Sequence, residues 1–260
     1  MNRNLETLLR IGLPLATLAL FFGLWSYYVR DATISPFILP APEKIGASFL
    51  VQIADPGVWR HVRVTLIEAL GGFFSALAAG VTLGALMAKL PPVEWAFKPF
   101  IIALQLIPKV ALAPLFILWF GFGLESKIVI SGVLAFFPIF ANTLVAIKST
   151  DAGDREVFAS MRATPLQSFA LLELPTALPM ILTGAEVAIV LAIIGAIVGE
   201  FIGGNSGLGY LAVLRLQELQ VDALFGVILI LALIGLLLYG AVAVLRRLLV
   251  PWHQSAATRL

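Results

Sequence analysis

The sequence predicts an all-α membrane protein with six transmembrane helices, and three observations carry that prediction. Of its 260 residues, 60% are hydrophobic and only 12% charged; an ordinary globular domain needs roughly 25% charged residues to cover its surface. Three uncharged runs are long enough to cross a bilayer, residues 11–29, 128–147 and 223–245, because a helix of about 20 apolar residues spans the hydrocarbon core. Three further runs of that length carry one ionisable residue each: 64–88 with Glu68, 100–123 with Lys109, and 174–199 with Glu186. The lipid bilayer is thus the first partner the composition implies.

Other classes are excluded at the same stage. A net charge of +2, with the basic residues in small groups, gives no reason to expect nucleic acid. The chain has no Cys, so disulfide and thiol chemistry are absent. His61 and His253 are the only histidines, too few for a zinc site, which needs three or four closely placed ligands.

The elements follow in order. Residues 1–30 form an N-terminal segment and the first span. That span follows Arg3 and Arg10, which raises the reading of a cleaved signal peptide. The run exceeds an h-region of about 7–15 residues and no small-x-small cleavage site follows, so it is kept as a helix. Residues 31–63 are an external segment, and residues 64–250 the core with the remaining five spans. In the third span, Pro108 and Pro114 flank Lys109 and remove two backbone donors, so the helix is expected to kink or unwind there. The freed carbonyls then need a neighbour, water or a ligand.

Residues 148–173 form the longest polar interruption on the cytoplasmic side. Asp154 suits the N-cap of a short helix through Met161, with Val157, Phe158 and Met161 on one side. Thr164, Pro165 and Gln167 supply an N-cap, an N1 proline and a capping-box partner for a second short helix through Leu172. This helical hairpin suits a rigid plug for a groove on a partner, or a surface hairpin lying on the membrane. Glu200 ends the fifth span, and Gly203, Gly204, Asn205, Ser206 and Gly207 lead a glycine-rich stretch to Gly209 that permits tight and left-handed turns. No Lys follows these glycines in P-loop fashion, so a phosphate loop is excluded. Residues 251–260 are a tail.

With the N-terminus inside, ten Lys and Arg fall on the cytoplasmic side and six outside, four of those six on the one long external segment. That asymmetry puts both termini in the cytoplasm. Trp25, Tyr27, Tyr28, Trp95, Trp119, Tyr239 and Trp252 lie near span ends, as interfacial aromatic residues do. The spacings Gly80 to Gly84 and Gly195 to Gly199 permit close helix approach and read as packing, with a partner interface as the weaker option. No repeat or second domain is visible.

The intramembrane charges need polar surroundings or each other. Glu68, near one end of its span, reads as structural before path-lining. Lys109 is either path-lining, snorkelling, or paired with Glu186; Pro108, Lys109, Pro114, Glu186 and Glu200 are the candidate pathway residues. A secondary transporter or channel would need an internal repeat or broken helices in corresponding positions, and the breaks here are confined to the third span. A membrane enzyme would need a nucleophile or metal arrangement that two distant histidines do not supply.

The stretch Glu156-Val-Phe-Ala159-Ser-Met-Arg162-Ala163, followed by Leu174-Pro-Thr-Ala-Leu-Pro179, resembles the EAA loop of ABC importer permeases. Leu39-Pro-Ala-Pro42, Ile107-Pro108-Lys-Val-Ala-Leu-Ala-Pro114, Gly199-Glu200-Phe-Ile-Gly-Gly-Asn-Ser-Gly207-Leu-Gly-Tyr210 and Pro251-Trp-His253 extend the likeness to the nitrate, sulfonate, taurine and pyrimidine-precursor permeases. The resemblance implies a type I importer permease fold in a bacterial inner membrane. It also implies residues Asp154, Glu156 to Ala159 and Met161 to Pro165 as a coupling loop, and residues 203–207 as the outer mouth. The implied partners are two ATP-binding cassette subunits carrying ATP and magnesium, a second permease copy, and an extracytoplasmic solute-binding protein. No cofactor is implied on this chain, which has no G-x-x-x-x-G-K-[ST].

The departures are Arg162 in place of the loop's usual glycine, Val157 and Phe158 in place of two alanines, and Glu68 and Glu186 where the family pattern has arginines. The two glutamates imply a more acidic cavity or interface than an anion importer has. They tilt the substrate toward a neutral or nitrogen-rich heterocycle such as a thiamine pyrimidine precursor, with nitrate, sulfonate or taurine as the alternative.

Overall fold

A computed structural model describes residues 3–30, 35 and 37–251, and every regular element among them is helical. In chain order these are α1 (Arg3–Arg30), α2 (Pro42–Ala54), α3 (Pro56–Lys89), α4 (Pro91–Leu106), α5 (Ala113–Phe120), α6 (Leu124–Lys148), α7 (Ala152–Ser160), α8 (Pro165–Ser168), α9 (Leu174–Gly203), α10 (Leu208–Gln217) and α11 (Val221–Leu249). The tail beyond Pro251, with Trp252 and His253, lies outside the described residues.

Five helices are long and apolar enough to cross a membrane, and a sixth crossing exists if α4, a 3₁₀ turn at Lys109–Leu112 and α5 count as one broken span. That segment bends by 88°. The expected kink is therefore a sharp corner. Ile107, preceding Pro108, takes the extended conformation (φ −70°, ψ 130°) that a following proline imposes, and it stops α4. Pro114 then falls in the first turn of α5, where its missing N–H costs no helical bond.

The chain divides into two compact units, Met1–Trp59 with Leu211–Leu231, and Arg60–Tyr210 with Ala232–Leu260. The boundaries between the units fall inside α3, α10 and α11. In the first unit Gln52 is buried and its Nε2 donates to the Ala223 carbonyl at 3.0 Å, while Trp25 rests against Phe225 with ring centroids 6.4 Å apart. Arg30 pairs with Glu43 at 2.5 Å, and backbone hydrogen bonding, helped by this partner, holds the Glu43 carboxyl below its usual range.

In the second unit the core is a seam between α3, α6 and α9 built from Phe73, Ala76, Ala135, Ile139, Ala185, Ala188, Ile189 and Ala192. Small side chains let the helices approach closely. At Gly195 an added Cβ would lie 2.6 Å from the Ser131 Cα, so only glycine fits. Gly80, Gly84 and Gly199 meet Ile139, Thr143 and Lys127 in the same way, so both glycine spacings serve packing within the chain.

Candidate functional site

Three places gather the chemistry of the second unit. The first is a cavity of about 560 Å³ beside the α4–α5 corner, lined among others by Ser75, Ile107, Lys109, Phe116, Phe136 and Phe137. Its walls are almost wholly aliphatic and aromatic. Lys109 is half-buried; its Nζ lies 4.4 Å from the Phe137 ring centroid, a cation–π distance, and donates to the Gln105 carbonyl at 3.3 Å. Pro108 and Pro114 are exposed on the corner that carries it. Such a cavity offers flat apolar faces and one ammonium.

The acidic pathway candidates sit elsewhere. Glu186 is buried in α9 and forms an ion pair with the Arg246 Nε at 2.8 Å, so its partner is not Lys109. Neither Glu186 nor Glu200 lines this cavity. Glu68 lines a different pocket, of about 300 Å³, with Lys127, Asn205 and Ser206.

The second place is the hairpin between α6 and α9. Its first cap is Asp151, whose Oδ1 accepts from the backbone N–H of Gly153 at 2.8 Å and of Asp154 at 3.3 Å. The cap therefore falls three residues before Asp154, because an aspartate at either position suits it and the chain turns at the earlier one. Thr164 and Gln167 form the expected reciprocal capping box, with Pro165 behind the cap. The second helix does not stop at Leu172; it runs through a wide π-turn at Phe169–Glu173 into α9.

Between the two helices Arg162 has φ 57°, the left-handed region. The Arg162 N–H donates to the Ala159 carbonyl and the Ala163 N–H to the Phe158 carbonyl, both at 3.0 Å. This is a Schellman ending with Arg162 at the position that favours glycine, which explains physically why the resembling loops carry glycine there. Glu156 is exposed, as are the apolar Val157 (56%) and Met161 (73%), whereas Phe158 turns partly inward. Leu166 adds a third exposed apolar side chain. At the base, buried Glu173 takes the Lys89 Nζ on both carboxylate oxygens at 2.8 Å, and Arg155 reaches from α7 to Glu173 (3.6 Å) and to the Ile147 carbonyl (2.7 Å). Lys89, Arg155 and Glu173 were not singled out in the sequence, which shows only three charges in or beside a polar stretch.

The third place is the turn after α9. Glu200 is buried within the helix, not at its end. Its Oε1 accepts from the Thr65 hydroxyl at 2.6 Å and its Oε2 from the Gly209 N–H at 2.5 Å. Thr65 in turn accepts from the Leu208 N–H at 2.8 Å, and the Nδ1 of His61 accepts from the Gly207 N–H at 3.0 Å. Gly207 has φ 100°, and a Cβ there would run into the Glu200 carboxylate. Lys127 donates to the carbonyls of Phe122 (2.5 Å) and Gly203 (2.8 Å). Gly203, Gly204 and Ser206 are half-buried and Asn205 exposed. Lys127, Thr65 and His61 lie in no local sequence pattern that marks them for this turn.

Residues 80–252 match the family model described as binding-protein-dependent transport system inner membrane component. The chain is 38% identical over 220 residues to the formylaminopyrimidine transport permease protein of Halalkalibacterium halodurans, covering 85% of this chain and 88% of that one. It is 39% identical over 245 residues to the riboflavin transport system permease protein of Chloroflexus aurantiacus, covering 94% and 91%. Its fold is similar to a chain of the MetNI methionine ABC transporter solved in inward facing conformations, with a TM-score of 0.61 at 22% identity over 74% of this chain and 94% of that one.

Proposed function

We infer that this chain, which belongs to the inner membrane components of binding-protein-dependent transport systems, forms a moving wall of a solute pathway. It is the permease subunit of an ATP-binding cassette importer and works in a complex with ATPase partners. The finer assignments are our reading. The hairpin Asp151–Pro165 is the handle on which two ATP-binding cassette subunits act from the cytoplasmic side, where the Lys and Arg count puts both termini. A second copy of this chain completes the pathway, since one small bundle encloses none alone. A solute-binding protein delivers cargo at the turn around residues 203–207.

The observation that carries this reading is the hairpin itself. It presents Val157, Met161 and Leu166 outward while Glu173, Lys89 and Arg155 tie its base to the bundle. Exposed apolar side chains on a rigidly held element mark a contact surface, and a rigid tie passes a push on that surface to α3 and α9. Closure of the ATPases would then switch the pathway between inward-facing and outward-facing states by differential binding.

For the cargo we propose a planar nitrogen heterocycle. The support is the cavity beside Lys109, where three phenylalanines offer faces for stacking and one ammonium a donor for a ring or substituent acceptor. The names of the two relatives, a formylaminopyrimidine and a riboflavin permease, are consistent with it. Glu68 and Glu186 do not contribute, being engaged away from this cavity. An anion such as nitrate, sulfonate or taurine is favoured by the Lys109 charge and by the names of other relatives, among them aliphatic sulfonate and taurine permeases. The assembled complex with its binding protein and ATPase, reconstituted in vesicles, tests the handle: Glu156→Lys should abolish transport-coupled ATP turnover and leave the bundle folded. Unchanged coupled turnover in that variant would count against it.

A further inference from the structure

The pocket of about 300 Å³ beside the glycine turn lies between Glu68 of α3, Phe122 and Lys127 around the start of α6, and Asn205 and Ser206 of the turn itself. All five residues belong to the second unit, and none of them lines the cavity beside Lys109.

Its polar groups are unevenly satisfied. Glu68 is 3% exposed, and its Oε2 takes no hydrogen bond among the described residues. A carboxyl oxygen enclosed in that way costs free energy until a donor meets it. Lys127, equally buried, does not serve: its Nζ commits two of its three donors to the carbonyls of Phe122 at 2.5 Å and Gly203 at 2.8 Å. At the exposed rim the Ser206 hydroxyl donates to the Asn205 Oδ1 at 3.3 Å, which leaves the amide NH2 of Asn205 as a donor. Phe122, also on the lining, is 71% exposed and offers a ring face.

One acceptor in the floor, one donor at the rim and a flat apolar face fit one kind of group. That group is a planar ring whose edge carries an N–H beside an acceptor, as an amino group next to a ring nitrogen does. The volume, at the lower end of the roughly 300–1,000 Å³ of ligand pockets, suits a small ring system. Nitrate and sulfonate present acceptors alone and would set an oxygen against Glu68.

We infer that this pocket is a reception subsite for amino-bearing nitrogen heterocycles: the Glu68 Oε2 takes the amino N–H, the Asn205 amide meets the ring nitrogen, and Phe122 covers the ring. It sorts cargo by the presence of a donor, a separate step from stacking in the cavity beside Lys109. Its place at the outer mouth rests on the importer reading above; the binding itself does not.

The parent chain has no Cys, so Ser206→Cys puts a single thiol of this chain at the rim. In the complex with its ATPase in lipid nanodiscs, without binding protein, cytosine should slow alkylation of that thiol, whereas unsubstituted pyrimidine and methanesulfonate should not. On the same background Glu68→Met, apolar and of similar length, should raise the cytosine concentration for half protection about tenfold, the effect of one hydrogen bond to a buried acceptor. Its thermal unfolding should be no lower than the parent's, because a buried polar atom without a donor is removed. Asn205→Ala, on an exposed residue, should raise the half-protection concentration too, and decides the matter if Glu68→Met does not assemble. No protection by cytosine, equal protection by methanesulfonate or pyrimidine, or half protection unchanged in the variants overturns the subsite. Protection by the binding protein alone, lost in Glu68→Met, would assign the donor to that protein and overturn the cargo assignment. Failed transport in vesicles with cytosine protection intact would count against the importer reading and leave the subsite standing; transport without protection would do the reverse.

Discussion

Lys89 and Glu173, 84 residues apart in sequence, meet with the lysine Nζ 2.8 Å from both carboxylate oxygens. The glutamate is 2% exposed and the lysine 31%, so the carboxylate depends on this partner and on Arg155 for its solvation. Removing one member should cost more than removing both. Lys89→Met is expected to destabilise the folded chain by about 2 kcal/mol, discounted for the partial exposure of the lysine. Adding Glu173→Leu should recover most of that loss. Coupling should not recover, because the tie between hairpin and bundle is then gone. Thermal unfolding of the complex, read beside coupled ATP turnover for the same set, checks the separation.

Arg162 holds a left-handed backbone that costs an L-residue about 1–2 kcal/mol relative to glycine. Arg162→Gly should therefore stabilise the hairpin by up to about 1 kcal/mol after its added freedom in the unfolded chain is counted. Arg162→Val should destabilise it by more, since a β-branched residue fits that region worst. Hydrogen exchange at the Ala163 amide, which donates across the turn, reports both changes locally.

Lys109 supplies the ammonium of the cavity of about 560 Å³, where it meets the Gln105 carbonyl and the Phe137 ring. Lys109→Met keeps length and apolar contact but removes the donor. For a heterocyclic cargo, transport should weaken by about tenfold, chiefly in KM. Competition by pyrimidine analogues but not by sulfonates in the parent complex would support the cargo class, and the reverse pattern would favour an anion.

What the sequence made legible was local in origin. The capping box at Thr164 to Gln167 and the break at Pro108 depend on neighbours a few residues away, and both formed. The span count rested on length and apolarity, which no tertiary contact alters. The pairings were hidden for the opposite reason: Glu186 meets Arg246, Lys127 meets the Gly203 carbonyl and Thr65 meets Glu200 only after distant helices pack. Glu186 reads as a pathway candidate because its residue type is visible in the sequence and its partner Arg246 is not. Asp151 displaced Asp154 as the cap because both occupy chemically equivalent positions before an apolar turn.

The hairpin's role as handle is tested most directly by disulfide crosslinking. The parent chain contains no Cys, so Val157→Cys introduces a single thiol at an exposed position. Paired with single-cysteine variants of the ATPase subunit in the assembled complex, it should crosslink under mild oxidation, with a yield that changes when ATP binds. Its labelling in intact cells by a membrane-impermeant maleimide, with no crosslink to the ATPase, would contradict the account.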